Sequence, residues 1–218
     1  MVMKRNHFVF AQALLLTMVV FVIGFYIGAS VEGSRALQIN SYFTQSETTL
    51  LDVLSLNKLV GSNSVSCESL VNSEDALLNK VYEGGILLDQ YEESGKLTND
   101  LKDLHKKYDS LRTYLWITSI GIKNKCGEKI IPLVYLYNKS ETDLTKRAEQ
   151  NVWSKVLFDI KNNNSKVVLI PIAVDSNLSS LNVLIERYNI TTSPAVIVNE
   201  KKVFESIPEE KEILNYIK

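Results

Sequence analysis

The sequence predicts an α/β protein in three parts: an N-terminal transmembrane helix, an α-helical hairpin, and a C-terminal domain ordered β-α-β-α-β-β-α. Three observations predict it. Residues 8–29 form an uncharged run of 22 residues, two heptad-like apolar stripes flank Ser94-Gly95-Lys96, and past residue 127 short apolar runs alternate with segments of helical spacing. These divide the chain into a tail (1–7), an anchor (8–30), a hairpin region (31–126) and a C-terminal domain (127–218).

From Phe8 to Ala29, Gln12 is the only strongly polar residue. At 1.5 Å per residue the run makes about 33 Å of helix, enough to cross a hydrocarbon core about 30 Å thick. The competing reading is a cleaved signal peptide with Gly28-Ala29-Ser30 as its small-residue site. Such a peptide ordinarily has an apolar region of only about 7–15 residues, so the length favours an anchor retained in the lipid bilayer. Lys4 and Arg5 precede the span, whereas Arg35 is the only cation close behind it and Glu32 sits beside it. The positive-inside bias therefore expects a cytoplasmic N-terminus, a single pass through the cell membrane and an extracytoplasmic body.

The whole chain has a net charge of −1. The anchor and tail contribute only Lys4 and Arg5, so the body carries 22 cations against 25 anions and is mildly acidic. Nucleic-acid binding, which relies on clustered Lys and Arg to displace counterions, finds no such block here. Two cysteines and two histidines make a four-ligand zinc site only if all four converge, and no metal or other cofactor is expected. Glycine is absent after Gly127, which excludes a glycine-rich phosphate cradle from the C-terminal domain.

The hairpin region begins with a loose helical pattern over residues 36–60, ended by Gly61-Ser62-Asn63. Ser66-Cys67-Glu68-Ser69 suits a helix start. Leu77, Val81, Gly84, Leu88 and Tyr91 then recur at four- and three-residue steps, as do Leu97, Leu101, Leu104, Tyr108, Leu111 and Leu115 beyond Ser94-Gly95-Lys96. Two such stripes joined by a short glycine-containing turn read as an antiparallel helical hairpin. Gly84-Gly85 inside the first arm lowers its propensity, and close helix approach or a local kink accounts for it.

Cys67 opens the first arm and Cys126 follows the second, with the turn near their midpoint, so folding the hairpin brings both sulfurs to one end. An oxidising compartment permits a disulfide there. Three readings remain open: a structural staple, a redox-active pair, or two unpaired, separately buried thiols. The separation of 59 residues suits a staple better, since catalytic dithiols usually sit as Cys-x-x-Cys at a helix N-terminus.

In the C-terminal domain, Ile130–Tyr137 reads as a buried strand with Pro132 near its start. Residues 141–162 are spaced as a helix, Val167–Val174 as a strand, and Leu181, Leu184, Ile185 and Tyr188 as a short helix. Ala195–Val198 and Val203–Phe204 are strands around a charged turn, and Pro208-Glu209-Glu210 opens a last helix. This order, together with Tyr188-Asn189-Ile190-Thr191-Thr192-Ser193-Pro194-Ala195-Val196-Ile197-Val198, resembles the thioredoxin superfamily over about residues 128–218. Combined with an anchor and an outer hairpin, it is similar to membrane-anchored thioredoxin-like proteins of archaea. The resemblance implies a cis-proline at Pro194 leading into the third core strand. It also implies an edge position for the second strand, which suits Pro171, because a proline lacks the N–H a central strand needs.

The departure from that family is chemical. Its Cys-x-x-Cys follows the first core strand, and the corresponding stretch here is Asn138-Lys139-Ser140-Glu141-Thr142-Asp143-Leu144, with no cysteine after Cys126. Dithiol exchange by this domain is therefore excluded. Ser140 and Thr142 are weak nucleophiles with no neighbouring histidine to activate them. Ser140 is expected as a helix N-cap, with Asp143 stabilising the first turn. What the resemblance leaves is the ledge at Thr192, Ser193 and Pro194, where backbone groups of the family pair with an extended peptide.

Four Asn-x-Ser/Thr sequons, at Asn138, Asn163, Asn177 and Asn189, fit glycosylation of an exported domain, and an asparagine-rich composition accounts for them equally well. His7 and His105 are expected to be solvated, as is the face carrying Lys102, Lys106, Lys107, Asp100, Asp103 and Asp109. Glu92-Glu93 and Glu209-Glu210 read as helix-surface charge. The expected function is non-catalytic: an extracytoplasmic adaptor or chaperone-like factor that binds a peptide or protein partner. The alternatives are a thiol-disulfide oxidoreductase using Cys67 and Cys126, and a structural subunit docking through its hairpin.

Overall fold

Helix α1 (Met3–Val60) carries the apolar run, α2 (Cys67–Glu93) and α3 (Asn99–Cys126) follow it, and strand β1 (Ile131–Tyr137) opens the sheet. Then come α4 (Leu144–Asn163), β2 (Val167–Ala173), a 3-10 turn (Val174–Ser176), α5 (Ser179–Arg187), β3 (Ala195–Val198), β4 (Lys202–Phe204) and α6 (Glu210–Leu214). The structure is a computed structural model and describes residues 3–93, 99–127 and 129–217. The chain forms two units, residues 1–44 and residues 45–218. The expected Ser94-Gly95-Lys96 turn lies outside the described residues.

In the first unit, Phe8–Val31 is long and apolar enough to cross a membrane, with a mean hydropathy of 2.5, and its large apolar side chains face outward. The Thr17 hydroxyl donates to the Ala13 carbonyl at 2.9 Å, so it is satisfied within the helix.

The second unit joins a three-helix layer to the sheet. Leu77, Val81 and Leu88 of α2 and Leu101, Leu104, Tyr108, Leu111 and Leu115 of α3 are buried, as the pair of stripes predicts, and Leu70 and Ile122 extend them. In α1 the buried residues are Val53 and Leu56, whereas Leu51 and Leu59 are exposed. Ser66 caps α2 by accepting from Ser69 N at 3.1 Å. Asn57 Nδ2 donates to Thr118 Oγ1 at 3.1 Å, and Lys125 donates to the Val60 and Ser62 carbonyls at the end of α1. Gly84 is the close-approach point. A Cβ there would lie 2.7 Å from the ring carbons Cε1 and Cζ of buried Tyr108, so only glycine lets the two arms meet. Gly127 ends α3 at φ +68, with its N–H on the Lys123 carbonyl at 2.8 Å.

The sheet order is β2-β1-β3-β4, parallel between β1 and β2 and antiparallel elsewhere. Ile131, Leu133 and Tyr135 of β1 face a core containing Trp153, Leu157 and Ile160 of α4 and Ile213 of α6. The alternate residues Val134 and Leu136 are equally buried, toward the side where α3 and α5 meet.

Strand β2 is an edge, as Pro171 requires. Ile131 N donates to the Lys166 carbonyl at 2.9 Å, so the even-numbered residues of β2 bond to β1 and Pro171 turns its nitrogen outward. Two residues on, the outward Ala173 N–H is taken by Asp109 of α3 at 3.2 Å. A hydrogen bond and a proline together blunt this edge.

Candidate functional site

The loop after β1 stands where the resembled family carries its dithiol. Here it is held by a carboxylate: Asp175, in the 3-10 turn after β2, accepts from Lys139 N at 3.0 Å and Ser140 N at 2.8 Å. Burial works to raise the Asp175 pKa, but these amide hydrogen bonds outweigh it and hold the carboxyl below its ordinary value. Asn138 N donates to Gln150 Oε1 at 2.6 Å, which ties the loop to α4.

The expectation that Ser140 caps α4 is corrected. Asp143 is the N-cap, accepting from Thr145 N at 2.8 Å and Lys146 N at 3.3 Å. The physical reason is that Asp175 holds the Ser140 amide toward the turn after β2, four residues before Leu144 opens the helix. Glu141 Oε1 in turn accepts from Asp143 N at 3.0 Å. Thr142 is exposed, and Leu144 opens α4 with 77% of its surface exposed.

The Ser193–Pro194 peptide bond is cis. Extending the β1–β3 register by one residue sets Pro194 opposite Tyr137, beside the loop just described. Glu205 Oε1 gathers Thr191 N at 2.6 Å, Thr191 Oγ1 at 3.0 Å and Thr192 N at 3.0 Å, and these bonds lower its pKa. Thr192 is exposed, Ser193 half-buried and Pro194 buried. The loop is thus fixed by the residue that follows β4.

Cys67 and Cys126 form a disulfide with their Cα atoms 5.5 Å apart. It closes the hairpin just before the N-terminal end of β1, whereas Pro194 lies level with its C-terminal end. At about 3.3 Å per residue, the seven residues of β1 put roughly 20 Å of strand between the two.

Two expectations about α3 are corrected. His105 is half-buried rather than solvated, with the Lys139 ammonium against its ring. Burial, then Lys139 and Arg112, push its pKa down to about 3, so the imidazole is neutral at physiological pH. Asp109 is 3% exposed rather than part of a solvated face. Burial pushes its pKa up to about 6 against the opposing pull of Arg112, 3.6 Å away, and of the Ala173 amide. Lys102, Asp103 and Lys106 are exposed as expected, and Lys107 pairs with Glu47 at 2.6 Å. The side chains of His7, Glu92, Glu93 and Asp100 lie outside the described residues.

Reasoning from the sequence missed Glu74, Glu200 and Glu205. Glu74 is fully buried between α2 and α3, with Oε1 accepting from Ser119 and Oε2 without a hydrogen-bond partner among the described residues. Its i+4 and i+3 spacing from Leu70 and Leu77 was the available signal. Among the described residues, no three His, Cys, Asp or Glu side chains converge to hold a metal ion. The sequons Asn163, Asn177 and Asn189 are exposed, whereas Asn138 is half-buried and its side-chain oxygen accepts from Ser140 N at 3.2 Å.

No family model, no curated protein and no solved structure matches this chain.

Proposed function

We propose that this chain is a membrane-anchored, extracytoplasmic binding protein whose thioredoxin-like domain has no dithiol chemistry and engages a peptide or protein partner, as an adaptor or chaperone-like factor. The strand order, the parallel β1–β2 pair with antiparallel β3 and β4, and the cis-proline before β3 support the fold. The apolar helix Phe8–Val31, with Lys4 and Arg5 before it, supports the address.

One observation carries the reading. Both cysteines are tied to each other at the far end of β1 from the Pro194 loop, so the part of the fold that would hold a substrate has no thiol within reach. What that rim offers instead is exposed Leu144 after the loop fixed by Asp175, and exposed Thr192 in the Pro194 loop fixed by Glu205. Such a surface can bind and has nothing to transfer.

The test is site-specific photo-crosslinking of the full chain in its native membrane, with the probe at Thr192 and a control probe at exposed Val183 on α5. A discrete adduct from Thr192 that is missing from Val183 is expected, and it persists when Cys67 and Cys126 are both changed to Ser. Loss of the adduct in the cysteine variant, with a disulfide potential near the compartment's poise rather than below about −300 mV, overturns the reading in favour of the oxidoreductase. Adducts that form only from a third probe, at exposed Lys80 on α2 and outside the trough between α2 and α4, favour the docking subunit.

A further inference from the structure

We propose that the trough between α2 and α4 binds an extended acidic peptide segment carrying an apolar side chain. This rests on the reading of the body as a binding protein and names a surface separate from the Pro194 loop.

Two cavities of about 450 and 350 Å³ share Tyr82, Tyr135, Asn151, Ser154 and Pro171 in their walls, so they form one continuous trough. Its floor is Tyr135 of β1 and Pro171 of β2, and its sides are α2 and α4. Along α4 it reaches from Arg147 to Phe158, about 16 Å at the rise of a helix, which matches about five residues of extended peptide.

Charge sets the sign of the ligand. Arg112, Lys139 and Arg147 line the first cavity and Lys155 the second. The single lining carboxylate is Asp89, 3.8 Å from the Lys139 ammonium. Arg112 is turned toward Asp109, but exposed Arg147 has no ion-pair partner among the described residues. A cationic trough selects an anionic partner.

Apolar surface sets the other half of the recognition. Tyr82, Ile86 and Phe158 are 40%, 41% and 38% exposed and all line the trough, with the Tyr82 and Phe158 rings stacked at 6.2 Å. The Asn151 and Ser154 side chains make no hydrogen bond within the described residues, which leaves them to meet a peptide backbone. Strand addition is not the mode. Along the outer edge of β2, Val167 N–H is held by the Asn164 carbonyl, Pro171 has none, and Ala173 N–H is held by Asp109, which leaves only Leu169 N–H, too little of an edge for a continuous ladder. The elongated shape and aromatic lining suit a peptide over a lipid headgroup, which needs a compact cluster of cations.

The experiment uses the full chain in mild detergent and fluorescence anisotropy with two labelled peptides of about ten residues. In one, Glu alternates with Leu and Tyr; in the other, Lys replaces every Glu. The acidic peptide is expected to bind at least about tenfold tighter, to weaken as salt rises, and to lose about tenfold in affinity in Arg147→Glu. Ile86→Asp, at a second exposed position, is expected to weaken it similarly, with thermal unfolding unchanged in both variants.

Equal binding of the two peptides, no binding of the acidic one, or binding indifferent to Arg147→Glu overturns the proposal. So does attachment to vesicles containing anionic phospholipid that Arg147→Glu abolishes while peptide binding stays. If the acidic peptide fails while the Thr192 adduct forms, the trough proposal falls alone. If the peptide binds and Thr192 gives no adduct, the role of the Pro194 loop falls and the trough stands.

Discussion

The Trp116 indole on α3 donates to the Glu200 carboxylate in the β3–β4 turn at 2.9 Å, and Tyr188 at the end of α5 donates to the other oxygen of the same carboxylate. The two rings stack at 5.4 Å. A few residues along α3, Lys123 donates to the Asn199 carbonyl of that turn. The helical hairpin and the sheet are thereby parts of one body, because a single turn glutamate is shared between them.

Glu200 occupies a backbone position that glycine favours. Asn199 and Glu200 have φ of 55 and 57, and Lys201 N closes the turn on the Val198 carbonyl at 3.0 Å. Glu200→Gly eases the backbone yet loses two side-chain hydrogen bonds to a carboxylate, so a net loss of about 1–2 kcal/mol is expected. In a background carrying Trp116→Phe and Tyr188→Phe, the same change becomes stabilising. Urea unfolding followed by far-ultraviolet circular dichroism reads both signs.

At Gly84, Ala places a methyl group against the ring of buried Tyr108, which must shift to admit it. Gly84→Ala is expected to destabilise by about 1–3 kcal/mol, despite the higher helix propensity of Ala. Tyr108→Leu recovers part of that loss in the double variant. Additive losses would mean that the two positions do not press on each other.

Burial pushes the Glu74 pKa from 4.5 up to about 7, against the Ser119 hydrogen bond and with a small push from Asp75. The folded state therefore holds this proton more tightly than the unfolded chain, and stability falls as pH rises from 4.5 to about 7. Glu74→Gln is expected to match the wild type near pH 4.5 and to exceed it by up to about 3 kcal/mol above pH 7. The depressed His105 pKa acts with the opposite sign, removing stability as pH falls from 6.5 toward 3. It is present in both proteins, so it cancels from their difference.

Asp143→Ala is expected to lower the urea midpoint, and Ser140→Ala to leave it nearly unchanged, since only Asp143 accepts from the first-turn amides of α4. These amide hydrogen bonds, from Thr145 and then Lys146, hold the Asp143 pKa below 3.8. Its contribution is thus complete above pH 3.8 and disappears as pH drops through the lowered value. An equal effect from the two substitutions would return the cap to Ser140.

Much of the fold was legible because it rests on short-range pattern. The apolar run 8–29, the stripes of α2 and α3, and the succession of helices and strands along the chain follow from spacing within a few residues. The meeting of Cys67 with Cys126 follows from folding two stripes back to back. The α4 cap was misread because Ser140 and Asp143 are both good caps, and the choice between them was made by Asp175, far away in sequence. His105 and Asp109 were misread because their face of α3 looks like an ordinary charged surface until β2 and the loop after β1 are laid against it.

The sequence by itself determined the periodicities: which residues form helices and strands, which faces are apolar, and that no thiol follows Cys126. Tertiary structure alone decided where polar groups end up. Glu200 reaching Trp116, Asp109 closing the β2 edge, Glu74 sealed between helices, and Arg147 facing Tyr82 across a trough each join residues distant in the chain. The physical reason is that amphipathic pattern is a local property repeated every few residues. The partner of a buried charge, by contrast, depends on how whole elements pack, and one sequence window does not contain it.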